Sequence, residues 1–140
     1  MGRTLSLLGH VVTRARHLIA MHQYGDALTA LTRVGSSAPI AATAAADVQH
    51  LLGEARFKLG DLRRARRHLR ESLRLEPANP AAWHLLARAT ESDPLADASR
   101  ASRAYRTALQ LAPRDPRLLA DAGAYFVQMD RVKKGLALLR

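Results

Sequence analysis

The stretch that decides the fold is FKLGDLRRARRHLRESLRLEP, which runs from Phe57 to Pro77 and contains seven arginines or lysines. Gly60 follows a run of good helix formers, and glycine readily takes the left-handed conformation that ends a helix. Asp61 comes next, where its carboxylate can cap the free amides of a new helix. Pro77 cannot continue that helix. The stretch therefore predicts a short turn between two helices, the second of which spans 61–75.

The second of these helices separates its apolar residues from its basic residues. One side carries an apolar stripe at helical spacing, which consists of Leu62, Ala65, Leu69, Ser72 and Leu73. The opposite side carries a basic stripe, which consists of Arg63, Arg67, Arg70 and Arg74. Because the apolar stripe must pack against another element, the arginines are expected to face solvent. The segment is therefore predicted to be an amphipathic helix and not a disordered basic arm.

The composition of the whole chain favours helices and gives a basic protein. Its 140 residues suffice for one compact domain or one short solenoid, nearly half of them are apolar, and aromatic residues are few. The absence of cysteine excludes disulfides and thiolate metal sites. The net charge of +10, which comes mostly from arginine, favours acidic peptides, nucleic acid or anionic lipid as partners.

No apolar run approaches the roughly 20 residues that a membrane span requires. The opening MGRTLSLLGHVVTRAR resembles a secretory signal, but Gly9 and His10 interrupt its apolar stretch and two arginines follow it. We interpret this segment as an amphipathic first helix and expect the protein to be cytoplasmic.

Pairs of small and apolar residues recur along the chain at intervals of 38, 36 and 34 residues. In each pair a small residue stands four positions before a larger one: Ala27 and Leu31, Ala65 and Leu69, Ala101 and Tyr105, and Gly135 and Leu139. A second set of matching residues precedes each pair: Val11, Ala15 and Leu18; Leu52, Gly53 and Arg56; Trp83, Leu86, Ala87 and Thr90; and Leu119, Ala122, Gly123 and Phe126. Self-similarity at periods of about 20–50 residues is typical of helical repeat proteins.

In these positions the sequence resembles the tetratricopeptide repeat family, whose helix–turn–helix unit of about 34 residues carries a Trp–Leu–Gly–Tyr series, then Ala, then an aromatic residue or Leu, then Pro. The resemblance extends from about Val11 to Arg140. It implies an all-α solenoid of about four units, in which helix pairs stack into a right-handed superhelix with the first helices on the concave side. The implied units are about 4–38, 42–78, 79–114 and 115–140, the last incomplete. The expected helices are 4–22, 24–34, 42–59, 61–75, 80–90, 95–111, 116–129 and 131–140.

Small residues inside the predicted helices indicate close helix contacts. Glycine inside a helix costs about 1 kcal/mol relative to alanine, so Gly53 and Gly123 are expected where another backbone comes near. Three capping residues that precede prolines predict helix starts: Asn79-Pro80, Asp93-Pro94 and Asp115-Pro116. The chain departs from the family pattern at Arg14 and Arg56, which stand at usually apolar places, and in the long junctions GSSAPIAAT and ESDPLADAS.

The sequence contains none of the motifs that mark common catalytic or cofactor sites. It lacks a phosphate-binding glycine loop, a His-Glu-x-x-His zinc pattern and a Gly-x-Ser-x-Gly nucleophile turn. His50 and His84 are 34 residues apart, so the repeat places them on adjacent helices, but only Asp47 and Glu54 stand near enough to complete a metal site. We therefore expect no catalytic residue, no metal and no cofactor.

The resemblance implies that inward-facing residues of the first helices bind an extended peptide or a partner helix. By register this set consists of Arg16, Ile19, Asp47, His50, Glu54, Phe57, Lys58, His84, Arg88, Arg117 and Asp121. Arg16, Glu54 and Arg88 occupy equivalent places, so their alternating charges either match a charged peptide or form an ion-pair ladder between repeats. The carboxylate clamp of some family members uses Lys and Asn where this chain has Val12 and Arg16, so that particular ligand is not supported.

These patterns predict a non-catalytic protein-interaction scaffold, of bacterial type and part of a longer chain. A second interpretation is a binder of nucleic acid or an anionic surface that uses a convex basic ridge, made of Arg63, Arg67, Arg70, Arg74, Arg100, Arg103 and Arg106. Since no aromatic residues interleave with the ridge to stack bases, we interpret it as a solvated face. A third interpretation is a regulatory module of a larger enzyme. Leu136 and Leu139 predict self-association through the last helix.

Overall fold

The computed structural model describes residues 2–35 and 42–139, and this part of the chain forms seven α-helices and no strand. The helices are α1 (Gly2–Ala20), α2 (Tyr24–Gly35), α3 (Ala42–Lys58), α4 (Leu62–Leu75), α5 (Pro80–Glu91), α6 (Ala98–Leu111) and α7 (Pro116–Leu138). The predicted all-α architecture is confirmed, and the first five helices lie where the sequence predicted them. None of the described helices combines the length and the apolarity that a membrane crossing requires.

Two of the turns inside helix pairs depend on a residue with positive φ. Gly60 has a φ of 82° between α3 and α4, and His22 has a φ of 60° between α1 and α2. Glycine adopts this conformation freely, whereas it strains a residue that carries a Cβ. Asp61 then caps α4, because its carboxylate accepts a hydrogen bond from the Arg64 backbone amide at 3.2 Å. The turn predicted within Phe57–Pro77 is therefore present.

Helices α5 and α7 also begin where their caps predicted. The Asn79 side chain accepts hydrogen bonds from two backbone amides of the first turn of α5, and Pro80 follows it. Asp115 does the same for α7, where Pro116 occupies the first position.

The predicted start of the sixth helix at Leu95 is wrong. Helix α6 begins at Ala98 because Asp97 caps it, with its carboxylate accepting a hydrogen bond from the Ser99 backbone amide at 2.9 Å. The carboxylate of Asp93, which the sequence suggested as the cap, accepts from the Leu95 backbone amide at 2.9 Å instead. Both aspartates precede apolar residues at suitable spacing, and only the backbone path between α5 and α6 selects one of them.

The helices stack as successive pairs. Helix α1 contacts α2, α3 contacts α4 and α5 contacts α6, and each pair packs on the next. The helices α1, α3, α5 and α7 contact one another in turn, whereas no contacts join α2, α4 and α6 within the described residues. The stack is therefore tighter on the side of the first helices, as expected for the concave side. We call the surface of α1, α3, α5 and α7 the first-helix face, and the surface of α2, α4 and α6 the second-helix face.

The small residues of the repeat lie where helices approach one another. Fully buried alanines occupy these places in the first three units: Ala15, Ala27, Ala65, Ala87 and Ala101. Gly53 approaches α4 so closely that a Cβ added to it would lie 2.7 Å from Cγ of Leu69. Leu31, Leu69 and Tyr105, the larger members of the recurring pairs, have no exposed surface. The recurring residues therefore form the core of the first three units.

The fourth unit departs from the prediction, because α7 is one continuous helix and does not break near Asp130. In the first two units a residue with positive φ, His22 or Gly60, stands five positions before the small residue of the second helix. Asp130 stands at that place in the fourth unit but is helical. Its carboxylate pairs with Lys134 one turn later, at 2.9 Å, which supports the helix across the predicted break.

The consequence is an uncovered apolar surface on α7. An added Cβ at Gly123 or at Gly135 would meet nothing within 4 Å. Leu136 and Leu139 are 60% and 84% exposed, although Leu31 and Leu69, which match Leu139 in the first two units, are fully buried. In the described residues the fourth unit is thus a single helix without the second helix that would pack on it.

The departures from the family pattern have different structural outcomes. Arg14 is exposed. Arg56 is half-buried, with its guanidinium 3.5 Å from the Asp61 carboxylate, and its Nε is buried without a hydrogen-bond partner. The long junction GSSAPIAAT lies mostly outside the described residues, which omit 36–41.

Candidate functional site

Two open clefts follow one another along the first-helix face. The first lies between α1 and α3, reaches the start of α5, and has a volume of about 420 Å³. The second lies among α3, α5 and α7 and has a volume of about 590 Å³. Both clefts are lined by His50, Glu54 and Ala81, so together they form one groove, which we call the first-helix groove.

Most of the residues expected in a groove lie along this one. They are Arg16, Ile19, Asp47, His50, Glu54, His84, Arg88, Arg117 and Asp121. Two expected residues do not line it. Phe57 lies beneath Arg88, with its ring centre 5.0 Å from Cζ of the guanidinium, and Lys58 is exposed at the C-terminal end of α3. The repeat register therefore brings together the residues of four helices that are far apart in sequence.

Asp121 organises the charges at the α7 end of the groove. Its Oδ2 accepts a hydrogen bond from Nε2 of His84 at 2.7 Å and lies 3.7 Å from Nε of Arg88. The ring of Phe57 supports the same guanidinium through a cation–π contact. Asp121 thus contacts both His84 and Arg88, whereas Arg117 at the same end of the groove does not pair with it.

The ion-pair ladder considered for Glu54 is wrong. Arg16 lies 3.9 Å from Asp47, and Arg88 pairs with Asp121, so neither arginine reaches Glu54. Among the described residues, Glu54 forms no ion pair, and the side chain of Arg117 forms none either. Both remain available to a ligand, one near the middle of the groove and the other at its α7 end.

His50 lies where the two clefts meet. Burial lowers the pKa of its imidazole, and the carboxylates of Glu54 and Asp47 only partly offset this effect. Its Nδ1 lies 3.4 Å from the side-chain nitrogen of Asn79. The imidazole is therefore neutral at neutral pH, and the middle of the groove carries the negative charge of Glu54.

Sequence reasoning missed seven residues that line the groove: Ala20, Leu51, Asn79, Ala81, Leu85, Asp115 and Ala120. Asn79 and Asp115 were recognised only as helix caps. Because α5 and α7 begin at the edge of the groove, the caps of these helices also lie there. The predicted helix starts were the signal that would have found them.

The two histidines that the repeat superposes do not form a metal site. His50 faces Asn79, whereas His84 is bonded to Asp121. Across the part of the chain that the structure describes, no group of three His, Asp or Glu side chains is arranged to hold a metal ion.

The arginines expected to form the convex ridge lie in different environments. Arg74 is held by Glu71 at 2.6 Å. Arg106 stacks on Phe126, with 5.6 Å between its Cζ and the ring centre. Two others, Arg63 and Arg67, are exposed. The remaining three, Arg70, Arg100 and Arg103, border a cleft between α4 and α6 that Arg74 also lines.

The family comparison supports the resemblance read from the residues. Residues 46–89 match a family model described as "Tetratricopeptide repeat". This range contains α4 and most of α3 and α5. No curated protein matches the chain in sequence. The predicted resemblance to tetratricopeptide repeat proteins is confirmed.

Solved structures share the fold at low sequence identity. The Hsp90 co-chaperone Cns1 from Saccharomyces cerevisiae is 14% identical, with a TM-score of 0.85 over 99% of this chain and 44% of that one. The first TPR of Spaghetti (RPAP3), bound to the HSP90 peptide SRMEEVD, is 13% identical, with a TM-score of 0.75 over 89% of this chain and 97% of that one. MamA is 17% identical, with a TM-score of 0.74 over 88% and 68%. The chain spans less than half the length of the co-chaperone, and at these identities the similarity concerns the fold.

Proposed function

We propose that this chain is a non-catalytic scaffold whose first-helix groove binds a segment of a partner protein. The observation that carries the proposal is the groove itself, in which charged side chains from α1, α3, α5 and α7 line one continuous surface. A structure that shares this fold, the first TPR of Spaghetti, has a peptide bound. A long open groove that crosses several helices suits an extended or helical segment.

The charges of the groove suggest the chemistry of the segment. Arg117 can bind an acidic group at the α7 end of the groove. Arg88 beside it is held in place by Asp121 and Phe57. Leu85 lines the same cleft and offers a surface for an apolar side chain. Glu54 would repel a second acidic group near the middle of the groove. The proposed ligand therefore carries an acidic group at one end and an apolar residue beside it.

Peptide selection followed by calorimetry tests this proposal. Short random peptides are selected on the immobilised wild-type protein, and the most enriched one is synthesised and titrated. We expect the enriched peptides to contain Asp or Glu next to an apolar residue. Arg117→Gln should weaken binding by about 1.5–3 kcal/mol, because a hydrogen bond to a charged group is lost. Arg88→Gln should also weaken it.

The matched control is Arg67→Gln, which removes the same charge from the exposed second-helix face. It should leave peptide affinity unchanged, because exposed charges beyond about 8 Å are largely screened at physiological salt. Circular dichroism and urea denaturation establish that each variant is folded. If Arg67→Gln weakens binding and the two groove variants do not, or if no peptide is enriched, the groove is not the binding site.

A further inference from the structure

A separate cleft lies on the second-helix face, between α4 and α6, with α5 as its floor. Its volume is about 450 Å³, within the range of about 300–1,000 Å³ that is usual for small-molecule sites. The rim carries Arg70 and Arg74 from α4 and Arg100 and Arg103 from α6. We call this feature the second-helix cleft. It shares no lining residue with the first-helix groove.

The rim of the second-helix cleft concentrates positive charge. Among the described residues, the side chains of Arg70, Arg100 and Arg103 form no ion pair and no hydrogen bond. Partial burial lowers the pKa of Arg70, and the charges of Arg100 and Arg66 lower it further. An adjoining cleft of about 390 Å³ is also lined by Arg70 and Arg100, so these two guanidinium groups face both spaces. A bound anion would relieve the repulsion among them.

The nearby acidic side chains leave this charge in place. Glu71 is committed to Arg74, which it contacts at 2.6 and 3.0 Å. Asp97 caps α6 through the Ser99 amide and forms no ion pair in the described part of the chain. Its pKa is lowered mainly by that hydrogen bond and less by the charges of the two α6 arginines. Asp97 lies near enough to Arg100 and Arg103 to offset part of their charge, but it pairs with neither, so the rim keeps a net positive charge.

The floor of the second-helix cleft is apolar. Leu73 and Leu86 are buried beneath it, and the half-buried ring of Trp83 lines it. The indole N–H of Trp83 donates a hydrogen bond to the Pro77 carbonyl at 2.7 Å, which fixes the ring. A cationic rim over an apolar floor selects a ligand that has an anionic group and an apolar body.

We propose that the second-helix cleft binds a phosphate monoester carried on an aromatic or aliphatic body. Guanidinium groups match phosphate oxygens with paired N–H donors, and several guanidinium groups suit a doubly charged anion. The apolar body would pack on Leu73, Trp83 and Leu86. This site lies on the opposite face from the proposed peptide groove and is independent of it.

Trp83 is the only tryptophan of the chain, so its fluorescence reports on the cleft directly. Phenyl phosphate is the probe, titrated at an ionic strength of about 0.15 M, where exposed charges are largely screened. We expect a saturable change in emission. Inorganic phosphate should bind at least tenfold more weakly, since it cannot use the apolar floor. Equal affinity for the two would indicate an adventitious ion only and would overturn the proposal.

Substitutions of single arginines test whether phenyl phosphate binds in the second-helix cleft. Arg70→Gln and Arg100→Gln should each lower the affinity for phenyl phosphate about tenfold or more. Arg67→Gln on the same helix, and Arg88→Gln in the first-helix groove, should leave it unchanged. A loss of affinity that is equal for all four variants would mean that only net charge matters, and the cleft would not be the site.

Two further arms identify the source of the phosphate. Sedimentation with vesicles that contain phosphatidic acid tests a lipid headgroup, and loss of co-sedimentation in Arg70→Gln would place that headgroup in the cleft. A single-stranded oligonucleotide tests the nucleic-acid interpretation of the ridge. If the oligonucleotide changes Trp83 emission and phenyl phosphate does not, the cleft binds a nucleic-acid backbone and the proposal fails.

Discussion

Gly53 and Gly123 occupy the same place in the repeat, yet they lie in opposite surroundings. Gly53 on α3 presses against Leu69 of α4, and an added Cβ would lie 2.7 Å from Cγ of that leucine. Gly123 on α7 faces open space, and Leu139, which matches Leu69, is 84% exposed. The same pattern of small and apolar residues thus forms a packed helix pair in one unit and, in another, a single helix on which no second helix packs. What differs is the turn between them, because Gly60 bends the chain and Asp130 does not.

The largest expected difference concerns the two matching leucines. Leu69→Ala should lower the free energy of unfolding by about 2–5 kcal/mol, because it leaves a cavity in a fully buried site. Leu139→Ala should change it by less than about 0.5 kcal/mol, the usual range for exposed positions. Urea denaturation followed by circular dichroism measures both values. A large loss in Leu139→Ala would mean that this side chain is covered in solution.

The two glycines should respond to alanine with opposite signs. Gly53→Ala should destabilise the protein by about 1–3 kcal/mol, because the methyl group meets Leu69, which has no room to move. Gly123→Ala should stabilise it by up to about 1 kcal/mol, the gain in helix propensity at an open position. Thermal denaturation of both variants measures the two changes in stability. A stabilising Gly53→Ala would contradict the close packing of α3 on α4.

The two turn positions provide a third contrast. Gly60→Ala should cost about 1 kcal/mol, because a Cβ is strained at a φ of 82°. Asp130→Ala should be nearly neutral, since alanine suits the interior of a helix and only the exposed pair with Lys134 is lost. If Asp130→Ala is as costly as Gly60→Ala, the chain turns at Asp130 in solution and the fourth unit forms a helix pair.

The exposed apolar residues of α7 also bear on self-association, which stays a prediction. Val132, Leu136 and Leu139 continue the spacing of Leu118, Ala122, Tyr125 and Met129, alternating steps of three and four residues along one side of α7. We expect a second copy to cover them weakly. Light scattering should show a mass that rises with protein concentration, and Leu136→Asp should abolish the rise. A constant monomer mass in the wild-type protein would contradict the prediction.

The smallest effect is expected from the protonation of His50, in the middle of the groove, as the pH falls. Burial lowers the pKa of His50 below its usual 6.5, so the unfolded chain binds a proton before the folded chain does as pH falls. The free energy of unfolding should therefore decrease below about pH 6.5 and level off once the folded state is protonated. His50→Gln should flatten this decrease, whereas His17→Gln at an exposed site should not. Urea midpoints at several pH values measure the slopes, and an unchanged slope in His50→Gln would contradict the assignment.

Much of the fold and of the candidate site was readable in the sequence. The recurring pairs fixed the order of the helices, and the register placed Arg16, Glu54 and Arg88 along one face. The caps at Asn79 and Asp115 fixed two helix starts. These features depend on spacing and on local hydrogen bonds, and both are properties of the chain alone.

Other features required the tertiary structure, because the sequence allowed several partners for the same group. Charge spacing made Glu54 a suitable bridge between Arg16 and Arg88, yet Asp47 and Asp121 hold those arginines. The outward stripe of arginines looked uniform, but the packing of α4 and α6 against α5 places Arg70 at a cleft and leaves Arg67 in solvent. Ion-pair partners are chosen by distances of a few ångströms between helices, and sequence spacing does not set those distances.

By itself, the sequence determined that this chain is a stack of amphipathic helix pairs, because periodicity and turn residues act over a few residues at a time. Only the tertiary structure decided that the fourth unit is one unpaired helix within the described residues. At Asp130 the local preference is balanced, since aspartate tolerates both a helix and a turn. Whether the chain turns at such a residue depends on how much apolar surface the following segment can bury by packing back on the helix. That amount is set by the assembled fold.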